Sequence, residues 1–239
     1  MKASGCESER SGVSIAVVIP TLNEATRIDA CLAAVRRQMP GGGAADVVVV
    51  DGGSIDGTPR LAASRARVTN APRGRGVQLN AGARMTSDDV LLFLHADTTL
   101  PAGAFAAIDS ALVDPEIVGG TFRLRFDHDA VALRLYAWCT RFRWRLLHYG
   151  DQGIFVRRAT FEALGGFREW PIMEDVDFLA RLDAAGRTVL LPLAVITSAR
   201  RFARHGVVRQ QLLNTALMAG YLAGVAPTRL ARWYENVHR

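Results

Sequence analysis

The chain has 239 residues, of which 49% are hydrophobic and 22% charged, with 22 glycines and 9 prolines. This composition excludes collagen-like and disordered proteins, and the length predicts one large α/β domain rather than two independent domains. The formal net charge is +6, from 29 Lys and Arg against 23 Asp and Glu, and Lys2 is the only lysine. Arginine binds phosphate and carboxylate groups through two parallel hydrogen bonds, so the excess indicates either an anionic partner or solvated helix faces.

The three cysteines are far apart and form no Cys-x-x-Cys pair: Cys6, Cys31 and Cys139. Their spacing excludes a disulfide scaffold and a structural zinc site, and it is typical of a reduced, cytoplasmic protein. Residues 1–13 are polar and lack the apolar segment of a secretory signal, so we expect a disordered lead-in to a single domain over residues 14–239. Residues 211–227 are weakly charged but include Asn214, which favours a packed or membrane-surface helix over a spanning one.

From residue 14 onward, short apolar runs alternate with helix-like patterns, which is typical of βαβ units and a parallel sheet covered on both faces. In the first half, this pattern predicts strands at residues 15–19, at 47–51, around Val68 and at 89–97. A helix is predicted over residues 24–38, and another begins at Thr58, where Pro59 suits the first helical turn.

The second half has a different character. Its residue pattern predicts a helix after Pro101, an alternating strand over 119–126 and a basic aromatic helix over 130–147. The segment GDQGIFVRR follows over 150–158, then a short helix around Phe161 and a turn at Gly165 and Gly166. The last predicted elements are a helix over 173–182, a strand over 188–192 and a C-terminal helix. No linker rich in Ser, Pro or Gly separates the halves, so the second half is expected to extend the same sheet.

Polar residues follow each predicted strand of the first half, where a parallel α/β sheet binds its ligands. They are Pro20, Thr21, Asn23 and Glu24 after the first strand, residues 51–57 after the second, Arg73 and Arg75 after the third, and His95 and Asp97 after the fourth. The first turn, PTLNEA, contains no glycine, which excludes the dinucleotide-binding fingerprint, and no P-loop is present. Residues 52–56 nearly match a serine-hydrolase elbow, but Asp56 stands where the motif needs glycine.

Four segments, in this order, resemble the nucleotide-sugar site of glycosyltransferase family 2: VVIPTLNE (17–24), VVVDGGSIDGT (48–58), LLFLHAD (91–97) and MEDVDFLARL (173–182). The resemblance covers residues 15 to about 200. It implies the GT-A fold, an α/β architecture with a mostly parallel central sheet flanked by helices. It further implies transfer of a sugar from a nucleoside diphosphate sugar to an acceptor hydroxyl, with inversion by single displacement. GDQG, HAD and TSARRF also resemble a bacterial subgroup labelled arsenosugar biosynthesis glycosyltransferases.

On the nucleotide side, the resemblance implies that Asp51 accepts an N–H of the base and that Pro20 and Thr21 line the same pocket. Glu24 matches a residue near the ribose, and Arg75 matches a basic residue that contacts the nucleotide. Ser54 and Asp56 have the alternative role of capping the helix that follows them.

The family binds a divalent cation, Mn²⁺ or Mg²⁺, between the two donor phosphates through an Asp-x-Asp motif. Here the motif reads His-Ala-Asp, so Asp97 matches its last acid and His95 replaces the first. A hard cation tolerates one carboxylate together with phosphate oxygens. His205, in the segment TSARRFARHG, is a further candidate ligand, and Arg200 and Arg201 of the same segment are candidates for contacting the diphosphate.

Asp175 matches the catalytic base of the family, which takes the proton from the acceptor hydroxyl. A helix N-terminus, where MEDVD places it, favours negative charge. Asp151 and Gln152 match the segment that borders the acceptor pocket, and Glu174 is a further candidate for contacting substrate.

Two alternatives remain open from the residues. The aromatic helix carries Arg134, Trp138, Arg141 and Arg145 at helical spacing, so it can lie on anionic lipid, as a polyprenyl-phosphate glycosyltransferase at a membrane surface would require, or pack its aromatics in the core. The chain could also be a catalytically silent module that binds nucleotide-sugar or nucleic acid. No nucleic acid partner is expected, because Arg75, Arg200 and Arg201 already have a diphosphate as their expected partner.

Overall fold

The computed structural model describes residues 12–39, 45–142 and 150–238, without the side chains at positions 142, 150, 201, 205 and 238. An eight-stranded sheet forms the centre of this part of the chain. Its strands are β1 (Ile15–Thr21), β2 (Val47–Asp51), β3 (Arg67–Asn70), β4 (Val90–Phe93), β5 (Thr98–Thr99), β6 (Ile117–Phe126), β7 (Ile154–Arg157) and β8 (Arg187–Thr197).

The strand order is β3-β2-β1-β4-β7-β6-β8-β5. Strands β3, β2, β1 and β4 are parallel, β7 runs antiparallel to β4 and β6, β8 is parallel to β6, and β5 is antiparallel to β8. The amino end of β7 therefore lies at the same edge as the carboxyl end of β4, as the pairing of Phe93 with Ile154 shows. Residues just before β7 thus reach the same rim as residues after β1, β2 and β4.

Helices connect and cover the strands. They are α1 (Ile28–Arg36), α2 (Thr58–Ala62), α3 (Arg75–Ala83), α4 (Ala104–Leu112), α5 (Val131–Cys139), α6 (Arg158–Ala163), α7 (Glu174–Ala185), α8 (Arg200–His205), α9 (Val207–Leu222) and α10 (Pro227–His238). Short 3₁₀ turns span Thr140–Phe142 and Gly150–Gln152.

Two apolar clusters cover the two faces of the sheet. One packs alternate residues of β1, β2 and β4 against α1 and α4, and the other packs the intervening residues against α3, α6 and α7. Gly82 lets α3 approach the sheet closely, because a Cβ there would lie 2.3 Å from Val18 Cγ1 and 2.9 Å from Val50 Cγ2. This contact fixes the height of Arg75 and Gln78 above the sheet edge.

The predicted fold class is confirmed, and the strand predicted at residues 47–51 has those bounds. The strand predicted over 89–97 ends at Phe93, so His95 and Asp97 lie in the following turn. The helix predicted over 130–147 ends at Cys139, and residues 143–149, including Arg145, lie outside the described residues.

The single C-terminal helix of the prediction is three helices. Gly206 (φ 82°) separates α8 from α9, and Gly224 (φ 84°) precedes the start of α10 at Pro227. At the other end, the amide of Val13 donates to Asp109 Oδ1 at 2.9 Å, so the chain is already packed before residue 14. Among the described helices, none is long and apolar enough to cross a membrane.

Part of the arginine excess stabilises the fold itself. Arg157 donates to the carbonyls of Ile117, Leu112 and Asp114, and Arg158 donates to those of Asp88 and Ala83. These contacts join β7 and α6 to neighbouring segments. For these positions, the net charge is therefore no evidence of an anionic partner.

Candidate functional site

A cavity of about 440 Å³ lies at the edge of the sheet where β1, β4 and β8 end. Eight of the residues predicted to form the site line it: Pro20, Thr21, Glu24, Arg75, His95, Asp97, Asp151 and Asp175. The parallel strands deliver the first six of these, and α7 and the turn before β7 deliver the other two. Residues nearly 160 positions apart in the chain thus share one cavity, as the motif order predicted.

Three predicted site residues do not line the cavity. Asp51 is 2% exposed, Gln152 1% and Glu174 1%, so all three side chains are buried. The substrate contacts expected of Gln152 and Glu174 therefore stay predictions. The side chains of His205 and Arg201 lie outside the described part of the structure.

Asp51 organises the turn between β2 and α2. Its Oδ1 accepts hydrogen bonds from Thr21 Oγ1 (3.1 Å) and Ser54 Oγ, and its Oδ2 accepts the backbone N–H groups of Gly53 (2.9 Å) and Ser54 (2.7 Å). Burial alone would raise the pKa of Asp51, but these hydrogen bonds outweigh burial, so the pKa lies below its usual value. The carboxylate is therefore ionised, and its four acceptor positions are filled by the chain itself.

The same turn is closed by a second acid. Asp56 Oδ1 accepts the N–H of Thr58 at 3.0 Å, and its Oδ2 accepts the N–H of Ala25 at 2.9 Å. The hydrogen bonds from Thr58 and Ala25 lower the pKa of Asp56. Asp56 thus bonds the first residue of α2, but the N-cap of α2 is Gly57 and no side chain caps it, so the capping role predicted for Asp56 stays a prediction. Ser54 serves the turn by accepting the Asn23 N–H at 2.8 Å.

Glu24 and Asp97 share one cation. Arg200 donates through both terminal nitrogens to the two oxygens of Glu24, with Nη1 to Oε2 at 2.8 Å, and its Nη2 lies 3.6 Å from Asp97 Oδ2. The hydrogen bond to Glu24 raises the pKa of Arg200, and the charge of Asp97 adds to this effect. The Arg200 side chain is 38% exposed and lines the cavity, so its remaining donors can reach an anion there.

Arg75 stands across from a buried acid. Its Nε lies 2.6 Å from Glu174 Oε1, while Glu174 Oε2 is buried and has no hydrogen-bond partner among the described residues. Burial raises the pKa of Glu174, and Arg75 offsets only part of this effect. Burial alone would lower the pKa of Arg75, but the charges of Glu174, Asp175 and Asp151 reverse the direction. Glu174 thus anchors the guanidinium of Arg75, whose other nitrogens face the cavity.

The residue before this acid has a strained backbone. Met173 precedes α7 with φ 65°, a left-handed conformation that a non-glycine residue adopts at a cost of about 1–3 kcal/mol. Such strain is common at functional sites. Here it starts α7 so that Glu174 turns inward to Arg75 and Asp175 lines the cavity, with its Oδ1 accepting the Val176 N–H at 2.8 Å.

His95 and Asp97 occupy the positions of the metal-binding motif of the resembled family. His95 Nδ1 lies 3.5 Å from Asp151 Oδ1, and the described residues contain no cluster of three His, Cys, Asp or Glu side chains arranged to hold a metal. A complete protein cage is not needed for Mg²⁺ or Mn²⁺, because phosphate oxygens supply most ligands in such sites. Asp97 and His95 both line the cavity, and a carboxylate together with an imidazole fits a cation of this kind.

Several cavity residues were not anticipated. Gln78 bridges β1 and β2 by donating from Nε2 to the carbonyls of Thr21 (3.0 Å) and Val50 (2.8 Å). A buried glutamine three residues after Arg75 on the same helix is the signal that could have indicated it. The other unanticipated cavity residues lie on three helices of the C-terminal half, α5, α9 and α10: Tyr136, Gln210, Asn214, Leu217 and Tyr234.

The family model for glycosyl transferase family 2 matches residues 16–165. A PGL/p-HBAD biosynthesis glycosyltransferase from Mycobacterium bovis is 30% identical over 188 residues, which cover 69% of this chain and 68% of that protein. The chain belongs to glycosyl transferase family 2. This family 2 glycosyltransferase is also 30% identical over 135 residues to the glycosyltransferase AglE of Haloferax volcanii, covering 51% of this chain and 43% of that one.

Solved structures show that this family 2 glycosyltransferase has the GT-A fold. A mannosyltransferase from Pyrobaculum calidifontis, in complex with GDP-Man and Mn²⁺, superposes with a TM-score of 0.67 at 22% identity, covering 89% of this chain and 64% of that one. Glucosyl-3-phosphoglycerate synthase from Mycobacterium tuberculosis, in complex with Mn²⁺, UDP and glucosyl-3-phosphoglycerate, gives 0.61 at 22% identity, covering 88% and 81%. The subgroup label suggested by GDQG and TSARRF stays a prediction.

Proposed function

We propose that this enzyme binds a nucleoside diphosphate sugar in the cavity at the sheet edge and transfers the sugar to an acceptor hydroxyl with inversion. The observation that carries the proposal is the convergence of Glu24, Asp97, Arg75, Arg200 and Asp175 on that one cavity. Cations suited to a diphosphate and a carboxylate suited to a hydroxyl proton lie within the reach of one ligand. The complexes of its structural relatives with GDP-Man and with UDP support a donor of this class.

The diphosphate side of the site consists of Asp97, Arg200 and Arg75. Arg75 pairs with the buried Glu174 and Arg200 with the partly buried Glu24, and both arginines line the cavity. A divalent cation bound through Asp97, with His95 adjacent, would neutralise the charge that develops on the leaving diphosphate. The two arginines stabilise the same charge and hold the donor in register.

On the acceptor side, Asp175 serves as the base. Its carboxylate removes the proton of the acceptor hydroxyl as that oxygen forms a bond to the anomeric carbon and the bond from this carbon to the diphosphate oxygen breaks. Because attack and departure occur on opposite faces of the carbon, the configuration inverts. Asp151, on the cavity wall beside His95, is placed to orient the acceptor or the sugar.

The nucleotide base is expected against Pro20 and Thr21. Asp51, which was expected to accept a base N–H, shapes this wall from behind by holding Thr21 and the turn at Gly53. A nucleotide base that donates a hydrogen bond directly to Asp51 has to displace one of the four donors that Asp51 already accepts. The Thr21 hydroxyl and nearby backbone groups are therefore the proposed contacts.

A thermal-shift panel of nucleoside diphosphate sugars, each with and without Mn²⁺, tests the proposal. One donor should raise the melting temperature, and the shift should be larger with the metal. Asp97→Ala should abolish the metal-dependent part. If the donor-induced shift is the same with and without EDTA, in the unmodified chain and in Asp97→Ala, the proposed metal site is contradicted. If no donor shifts the melting temperature, the donor proposal is contradicted.

A second candidate is transfer to a polyprenyl phosphate at a membrane surface. The observation that favours it is the exposed apolar and arginine-bearing face of α5, α9 and α10, the helices that also line the acceptor side of the cavity. Incubating enzyme and labelled donor with a polyprenyl phosphate or with a water-soluble alcohol distinguishes the two. Product with the lipid phosphate alone supports the second candidate over the first.

A further inference from the structure

Exposed large apolar side chains are concentrated on three helices of the C-terminal half. Thirteen such residues occur in the described part of the chain, and eight of them lie on α5, α9 and α10: Val131, Leu135, Trp138, Val208, Leu212, Leu222, Trp233 and Val237. We call this set the apolar helix surface. The other five are scattered over separate elements, as is normal for single exposed residues.

The spacing of these residues makes them faces rather than isolated positions. Val208 and Leu212 are one helical turn apart on α9, and Trp233 and Val237 are one turn apart on α10. Val208 is 70% exposed, Leu212 66% and Trp233 56%. The helices that carry these faces are neighbours, because α9 contacts both α5 and α10.

The charges on the same helices are mostly positive. Exposed arginines accompany the apolar residues, and none of them forms an ion pair within the described residues: Arg134, Arg209, Arg229 and Arg232. Glu235 is the only acidic residue in α5, α9 and α10. Apolar side chains, interfacial tryptophan and unopposed arginine together match an anionic lipid surface.

The inner faces of these helices point to the same partner. Tyr136, Leu217 and Tyr234 line the cavity, and each is on a helix whose outer face belongs to the apolar helix surface. A lipid surface bound there would lie next to the acceptor side of the cavity. We propose that the apolar helix surface docks this enzyme on an anionic lipid bilayer. The proposal rests on the exposure and charge of the surface and holds whatever the acceptor is.

Sedimentation with sucrose-loaded vesicles tests the docking. The full chain should sediment with vesicles of phosphatidylglycerol and phosphatidylcholine but not with pure phosphatidylcholine, and high salt should release it because the arginine contribution is screened. Leu212→Ser/Trp233→Ser should reduce the bound fraction about tenfold. Arg229→Glu/Arg232→Glu should reduce it to a similar degree and remove the salt dependence.

Matched variants elsewhere serve as controls. Val113→Ser removes an 80% exposed apolar residue at the end of α4, and Arg60→Glu/Arg84→Glu reverses two exposed arginines on α2 and after α3. Both should bind vesicles as the unmodified chain does. Circular dichroism and melting temperature should show that every variant is folded, since all the altered positions are exposed.

Three results would overturn the docking proposal. They are absence of binding to the anionic vesicles, equal binding by the Leu212→Ser/Trp233→Ser protein, and a lipid-free dimer that this double variant dissociates, which would make the surface an interface between two copies. None of the altered residues lines the cavity, so the donor-induced thermal shift should be unchanged in all variants. A failure of vesicle binding with an intact donor-induced thermal shift would contradict the docking proposal alone. Vesicle binding without any donor-induced thermal shift would contradict the proposed function alone.

Discussion

The two sides of the cavity hold their functional groups by different means. On the β1–β2 side, Asp51 and Asp56 accept hydrogen bonds from hydroxyls and backbone N–H groups of adjacent turns. On the α7–α8 side, charged side chains pair over long distances in the chain, as in the 176-residue separation between Glu24 and Arg200. One side is organised by neutral dipoles around ionised acids, and the other by guanidinium–carboxylate pairs.

This difference has consequences for how each side can fail. A carboxylate held by many backbone dipoles loses its stabilisation gradually as it is protonated. A buried ion pair fails abruptly when one partner is removed, because the other charge is left without compensation. The α7–α8 side is therefore expected to be the more sensitive to single substitutions.

The largest effect is expected from Asp175→Asn. Loss of the base should lower kcat by about 10²- to 10⁴-fold, while the donor-induced thermal shift remains. Asp177→Asn, in the same first turn but paired with Arg181, is the control and should retain most activity. Retained transfer in Asp175→Asn would remove Asp175 as the base, and loss of donor binding would place it on the donor side instead.

Arg75→Ala should be the most destabilising change. It leaves the buried Glu174 without its cation, which costs about 2–4 kcal/mol, below the fully buried range because the Arg75 side chain is 34% exposed. Without Arg75 the pKa of Glu174 rises further, so the variant regains stability as pH falls and Glu174 takes up a proton. Urea unfolding should show a larger loss at about pH 8 than at about pH 5.

The double variant Arg75→Ala/Glu174→Gln sharpens this prediction. Glutamine removes the uncompensated charge, so the double variant should be more stable than Arg75→Ala alone, and its loss of stability relative to the unmodified chain should differ less between the two pH values. An equal loss at both pH values with no recovery in the double variant would show that the pair contributes through packing alone.

Asp51→Asn tests the hydrogen-bonded side. The folded pKa of Asp51 is lowered, so its contribution is present above the unfolded pKa, near 3.9, and is lost as pH falls through the folded value. At neutral pH the variant should be destabilised by about 1–3 kcal/mol. The melting-temperature difference from the unmodified chain should shrink below about pH 4. A constant difference across pH would contradict this account.

The smallest effect is expected from Arg200→Lys. Lysine keeps the charge but cannot bond both oxygens of Glu24, so donor affinity should fall by about three- to tenfold, measured by titration calorimetry. Arg187→Lys alters an exposed pair with Asp114 and should leave donor affinity unchanged. Unchanged affinity in Arg200→Lys would mean that Arg200 serves the fold rather than the donor.

Much of the donor side could be predicted from the sequence. The run VVVVD has the bounds of β2, Thr21 ends β1, and Glu24 and Asp97 follow strands whose carboxyl ends meet at one edge. Hydrophobic pattern determines where such strands begin and end, and parallel pairing then places their ends together. The boundary of the domain at residue 14 stays a prediction, since residues 1–11 lie outside the described part.

Which acidic side chains pair with an arginine and which line the cavity could not be predicted in the same way. Glu174 and Asp175 are adjacent in sequence, yet one is buried against Arg75 and the other lines the cavity. Which of them faces inward depends on the rotation of α7, and Met173 sets that rotation with its left-handed backbone. Likewise, Gln152 carries a motif match but is buried, because the turn before β7 directs it away from the cavity.

The sequence by itself therefore determined the family, the sheet and the edge at which the chemistry lies, since these follow from local hydrophobic period and from motifs within single turns. The tertiary structure decided which of the two adjacent acids lines the cavity, which arginines stabilise the fold and which face the cavity or the solvent. Such choices depend on contacts between residues far apart in the chain. Their energies arise only when burial and the partner's charge are both in place.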